Sequence, residues 1–197
     1  MKRFLLAGLF LTLVSFSMYA QGGVYFDMGV GLGGALSEVD GENAGDTFDG
    51  YGVRQTALNL GLKLGYGPIA GIPLYAVGVF EGAGHRFFDD SNYVQLNSYL
   101  AGPGLIFYPI PLIQIAGSLG VSWTGNDSSL PGTMYKNDGP GFAGDVSVAI
   151  DAGSGNHGAL IGLRYFGSTN TLTSGAKQDI SVITLFVKYA YRKPKVK

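Results

Sequence analysis

From residue 23 to the last tyrosine, apolar side chains recur at every second position in runs of roughly ten residues. Over 23–34, Val24, Phe26, Met28, Val30 and Leu32 alternate with Tyr25, Asp27, Gly29, Gly31 and Gly33. Over 53–66, Leu58, Leu60, Leu62 and Leu64 alternate with Ala57, Asn59, Gly61, Lys63 and Gly65. A period of two places alternate side chains on opposite faces of a strand, so these runs predict strands with two unlike faces. Four later segments repeat the pattern around Ile113–Ile115–Leu119–Val121–Trp123, Val146–Val148–Ile150, Ala159–Ile161–Leu163–Tyr165 and Ile183–Leu185–Val187–Tyr189–Tyr191. Two more, 74–84 and 93–108, are less regular. Phe80 and Glu81 exchange the expected faces, which predicts a bulge near Gly82, and Pro103 interrupts the other. Eight strands are expected.

The links alternate in length. After the second, fourth and sixth strands they are short and uncharged (67–73, 109–111, 153–157). After the first, third, fifth and seventh they are longer and polar (35–52, 85–92, 124–140, 168–179). Short turns at one end and long loops at the other predict an all-β fold, an eight-stranded antiparallel up-and-down transmembrane β-barrel with both termini at the short-turn end.

Composition decides which face meets water. Only 14% of residues are charged and 33 of 197 are glycine. A soluble barrel would clothe its outside in long polar side chains, whereas here the non-apolar face is mostly Gly, Ala, Ser, Thr and Asn. Small residues suit a narrow interior, and the leucine and valine face suits lipid. Thirteen basic against fourteen acidic residues leave no electrostatic footprint for nucleic acid. The absence of cysteine removes disulfides and thiolate metal sites.

At the N-terminus Lys2 and Arg3 precede an apolar run over 4–16 and then Ser17-Met18-Tyr19-Ala20. This is the plan of a secretory signal peptide and is too short for a spanning helix. The expected division is a signal peptide over 1–20, a barrel over 21–192 and a basic periplasmic tail over 193–197. Taken together, the leader, the eight alternating strands and the unequal links resemble the OmpA/OmpX/OmpW group of small outer-membrane barrels. The resemblance is one of architecture and carries no diagnostic motif. It implies outer-membrane lipid and the barrel-insertion machinery as partners and a monomeric state. It also implies either a protein that serves envelope structure or meets an extracellular partner through its acidic loops, or an OmpW-like conduit for small apolar solutes. Pro103 and the glycine pairs of the third and fourth strands are where a conduit would open. Such barrels usually end on an aromatic residue, whereas Tyr191 here is followed by Arg192 and the basic tail.

Six charges fall on the predicted inner face: Asp27, Lys63, Asp145, Asp151, Arg164 and Lys188. The expectation is a balanced ion-pair network in the lumen, with Asp27 between Lys63 and Lys188 and with Arg164 reaching Asp151 or Asp145, because buried charges need partners. The long loops are acidic. The first carries Glu38, Asp40, Glu42, Asp46 and Asp49 and no base, a cluster whose first reading is an exposed, solvated loop and whose alternatives are loose divalent-cation binding or contact with basic host or envelope partners. Its spacing does not fit a calcium loop, because Ala44 and Tyr51 stand where ligands are required. Gly29–Gly34 lacks the following helix of a phosphate loop. The two histidines, His85 at the outer rim and His157 in a short turn, are expected at opposite ends. No catalytic residue, cofactor or metal is expected, and the protein is read as a non-enzyme.

Overall fold

The computed structural model describes residues 23–49, 52–130, 139–153 and 155–192. The segments expected as signal peptide (1–20) and basic tail (193–197) lie outside the described residues. The chain forms β1 (Gly23–Val39), β2 (Glu42–Asn43), a short helix α1 (Ala44–Asp49), β3 (Arg54–Gly67), β4 (Leu74–Phe88) and β5 (Tyr93–Ile110). These are followed by β6 (Ile113–Thr124), β7 (Asp127–Ser128), β8 (Pro140–Asp151), β9 (His157–Thr171) and β10 (Lys177–Arg192). Eight long strands pair antiparallel in the order β10-β9-β8-β6-β5-β4-β3-β1, and β10 pairs back onto β1, from Tyr25↔Arg192 to Val39↔Gln178. The sheet therefore closes into a barrel with no free long edge, the condition for strands to cross a membrane.

The exterior is the apolar face. Val30, Leu32, Leu60, Leu119, Val121, Leu163 and Leu185 are all more than half exposed, a surface that only lipid can cover at this size. Aromatic side chains gather toward the loop end, where Trp123 stacks on Tyr99 at 5.8 Å and Phe80 lies 5.9 Å away. At the short-turn end three tyrosines near strand ends do not join a lipid-facing girdle. Tyr25 and Tyr108 point inward and are buried, with Tyr75 packed against them.

The irregular strands resolve simply. There is no bulge at Gly82: the β3–β4 register runs unbroken from Arg54↔Phe88 to Tyr66↔Ala76. Val77, Val79, Glu81, Ala83 and His85 all face inward, and Phe80 faces lipid. The inner face of β4 and β5 is apolar apart from Glu81, His85 and Ser98, so the period-two contrast weakens there.

The ladder from β4 to β5 includes Gly78↔Pro103 without interruption. On the other side, β5 and β6 pair at Ala101↔Val121 and again at Gly104↔Ser118 in the same register, skipping the proline, which has no N–H to give. The wall stays shut there, since a Cβ on Gly102 would collide with the backbone of Leu119 and Gly120. The sites expected for a lateral opening are closed. Two long loops are also shorter than expected, reduced to 89–92 and 172–176 because β4, β9 and β10 extend outward. His85 accordingly sits inside the barrel and not at its rim.

Candidate functional site

Lumen geometry follows from which strands face one another. Along the closed order, β3 and β8 are diametrically opposed, and so are β4 and β9. Lys63 on β3 crosses the bore, its Nζ lying 3.2 Å from Asp145 Oδ2 on β8 and 3.4 Å from Glu81 Oε1 on β4. Arg164 on β9 crosses to Glu81 (Nη2 to Oε1, 3.2 Å), lies 3.7 Å from Asp145 through Nε, and donates to the Asn59 side-chain oxygen. Lys188 approaches Asp27 at 3.6 Å and Glu81 at 4.0 Å. Asp145 also accepts from Ser118 Oγ, and Asp27 accepts from Tyr25 OH at 2.8 Å. Three acids and three bases, all buried, form one neutral belt across the barrel.

Glycine makes room for it. A Cβ on Gly61 would press on Arg164 Nη1 and Glu81 Oε1, both at 3.1 Å.

This belt differs from the expected one in three ways. Glu81 is its hub, a residue outside the six expected charges because the bulge expected near Gly82 left its face unassigned. Asp27 stands directly opposite Lys63 in the β1–β3 register, yet Lys63 reaches across the bore and Asp27 pairs with Lys188 alone. Asp151 is not part of the belt. It pairs at 2.8 Å with Arg192, which was assigned no partner from the sequence, and its strand position lies too far toward the short-turn end to reach Arg164. A charge flanked by lipid-facing positions is the signal that would have found Glu81, because only the lumen side of a spanning strand accepts one.

Apolar layers stopper both ends. Toward the short turns, Tyr25, Ile106, Tyr108, Leu160 and Phe186 cluster, with Gln114 Nε2 donating to the hydroxyls of Tyr25 (2.9 Å) and Tyr108 (2.7 Å). Phe186 joins this floor to the belt, its ring 5.2 Å from the Arg164 guanidinium and 4.9 Å from Lys188 Nζ. Toward the loops, Phe87, Val94, Leu96, Leu100, Phe166 and Ile180 form a second cluster. His85 lies among them, between Ser37 Oγ (2.9 Å) and Gln55 Oε1 (3.2 Å). His157 is at the other end, 2.6 Å from Tyr189 OH. Among the described residues no group of three or more His, Asp or Glu side chains could hold a metal ion.

The acidic loop is organised by one of its own members. Asp40 adopts φ 55°, its N–H donates to the Lys177 carbonyl at 2.8 Å, and its carboxylate accepts from the Lys177 N–H at 2.8 Å. Glu38, Glu42 and Asp46 are exposed around this clamp, and the Asp49 side chain lies outside the described residues.

A closed eight-stranded antiparallel barrel with a lipid-facing exterior and a packed lumen is the fold of the small outer-membrane barrels. The chain is similar in fold to Ail, the attachment invasion locus protein of Yersinia pestis, seen in complex with the heparin analogue sucrose octasulfate. The two share 13% identity, with 86% of this chain and 99% of that one covered and a TM-score of 0.52. A second Ail structure gives 13% identity, the same coverage and a TM-score of 0.50. Neisserial surface protein A is 15% identical over 86% of this chain and 97% of that one, with a TM-score of 0.49. No protein-family model and no curated protein matches the sequence.

Proposed function

We propose that this chain is a non-enzymatic barrel of a bacterial outer membrane, with its termini in the periplasm, that works through its loop end and not through its lumen. The observation that carries this reading is the stoppered bore: two apolar clusters with a neutral belt of six buried charges between them. Hydrated ions need a continuous polar path, and buried charges that are all paired offer none. The same packing weighs against the reading as a conduit for small apolar solutes, as does the continuous wall at Pro103.

The loop end then offers Glu38, Glu42 and Asp46 around the Asp40–Lys177 clamp, a surface of negative sign suited to a basic extracellular partner. Ail binds a sulfated ligand in its crystal structure, and a polyanion would meet repulsion at this loop, so a partner of opposite charge is inferred. The test is paired. The refolded chain in planar bilayers is expected to show no steady conductance, and in vesicles it should retain a lysine-rich peptide in a salt-sensitive way that E38Q/E42Q/D46N abolishes. Steady conductance would overturn the closed-barrel reading. Peptide binding unchanged in the triple variant would overturn the loop reading.

A further inference from the structure

Outside the lumen, two cations stand at the upper boundary of the lipid-facing band. On the outer face of β3, β4 and β5, the last leucines toward the loops are Leu60 and Leu58. One row further outward, the register aligns Thr56, Arg86 and Gln95, and the next row aligns Arg54, Phe88 and Tyr93. The Arg86 guanidinium lies 4.4 Å from the Tyr93 ring centroid and 5.9 Å from that of Phe88, while Arg54 lies 5.1 Å from Phe88. Tyr93 is fixed in turn by donating its hydroxyl to Asp127 Oδ2 at 2.8 Å.

Both arginines thus lie over aromatic rings at the edge of the apolar band, with Trp123, Tyr99 and Phe80 on the lipid side of them. Arg54 meets Asp90 at 3.0 Å, a pair whose side chains are 65% and 98% exposed and so worth little. Arg86 has no carboxylate within ion-pair distance among the described residues, and its Nε is shielded from solvent without a partner. Asp89 and Asp90 sit beyond the arginines in the 89–92 turn, while Asp127 of β7 pairs with Gln95 in the Arg86 row, where its carboxylate is engaged by the Tyr93 hydroxyl.

We infer that Arg86 and Arg54 form a binding site for the phosphate group of an anionic lipid in the leaflet at the loop end. Guanidinium presents paired N–H donors that match phosphate oxygens, and stacking on Phe88 and Tyr93 holds the fork in place before the lipid arrives. Thr56 and Gln95 share the outward row of Arg86, with the Gln95 amide donating to Asn97 at 2.8 Å. The inference rests on the membrane-barrel reading and adds to it a particular lipid chemistry at a particular place.

The protein carries its own reporter, since its single tryptophan is Trp123. The full chain is refolded in phosphatidylcholine vesicles containing a small fraction of phosphatidic acid, with bromine on the acyl chains of one lipid or the other. Bromine quenches tryptophan only at contact, so quenching measures which lipid occupies the neighbourhood. The expected result is quenching by brominated phosphatidic acid at least two-fold above its bulk mole fraction, falling to the bulk value in R54Q/R86Q and resisting added inorganic phosphate. R86K, which keeps the charge and loses the fork, is expected to fall in between. Equal quenching by the two lipids in the wild type, or enrichment unchanged in R54Q/R86Q, overturns the site. Absence of quenching by brominated phosphatidylcholine in pure phosphatidylcholine would instead overturn the membrane reading beneath it. Should R54Q/R86Q not fold, the wild-type lipid comparison together with R86K still decides.

Discussion

Lys63 and Asp145 sit on diametrically opposite walls of the barrel, and their Nζ and Oδ2 atoms are 3.2 Å apart. The bond spans the bore, so each residue answers the other's burial. Removing one partner leaves an uncompensated charge, which typically costs about 3–5 kcal/mol, whereas removing both at once is often close to neutral. Lys63→Met and Asp145→Asn are each expected to lower the urea midpoint of the refolded barrel strongly. The double variant should recover a large part of that loss, giving a coupling of at least about 1 kcal/mol in a double-mutant cycle. Additive losses would mean that the two charges are solvated separately.

Glu81 contacts three cations of the belt, at 3.4 Å from Lys63, 3.2 Å from Arg164 and 4.0 Å from Lys188. Asp151 has a single ion-pair partner, Arg192, whose side chain is 18% exposed at the short-turn end, and it also accepts the Gly153 N–H at 3.0 Å. Glu81→Gln should therefore destabilise the barrel more than Asp151→Asn, read as the temperature at which the compact gel band is lost. The reverse order would move the centre of the network to the end of the barrel.

That ranking could not have been written from the sequence, and the reason lies in β4 and β5. In β1 and β3 the lumen face is mostly glycine or polar and the lipid face apolar, so the two-residue period declares both at once: Val30 against Gly31, Leu62 against Lys63. In β4 and β5 the lumen face carries Val77, Val79, Leu96, Leu100 and Ile106, because those strands supply the stoppers at the two ends. With both faces largely apolar the period weakens, and small glycines at 78, 82 and 84 mimic an inner face. Strand count and closure were legible because they need only the well-patterned strands and the turn chemistry. The identities of ion partners were not, since long side chains crossing a bore answer to three-dimensional distance and not to register neighbours.

Glycine content tests the belt sterically. A methyl group at Gly61 would meet Arg164 Nη1 and Glu81 Oε1 at 3.1 Å, whereas at Gly34 it would meet nothing within 4 Å. Gly61→Ala is expected to cost about 1–3 kcal/mol through overpacking against immobile ion pairs. Gly34→Ala should stay within about 0.5 kcal/mol of wild type. Equal effects would show that the belt yields freely to added volume.

One surface turn has a defined pH response. The Asp89 carboxylate accepts the backbone N–H groups of Ser91 at 2.7 Å and Asn92 at 2.6 Å, and these bonds hold its pKa below the usual carboxylate range. Because the folded-state pKa is depressed, the contribution of the turn is complete above the unfolded value and is lost as pH falls through the folded one. Titration followed by NMR should place Asp89 below an ordinary aspartate, with the Ser91 and Asn92 amide shifts moving at the same midpoint. An ordinary midpoint, or amides that do not follow it, would remove the turn.

The last prediction separates closure by one gate from closure by layers. The floor is built from Tyr25, Tyr108 and Gln114, tied by two hydrogen bonds, while the belt and the roof of Phe87, Leu96, Leu100 and Phe166 lie beyond it. If one layer were the seal, its truncation would open the bore. If each layer seals alone, Tyr25→Ala/Tyr108→Ala admits water only as far as the belt, where six paired charges still fill the cross-section. The floor variant is therefore expected to fold with reduced stability, since truncating large buried aromatics costs about 3–5 kcal/mol each, and to remain non-conducting in planar bilayers. Conductance should appear only when belt residues that span the bore, such as Lys63 and Arg164, are truncated together with the floor. Steady current through the floor variant alone would show that the charged belt is permeable and that the tyrosines are the gate.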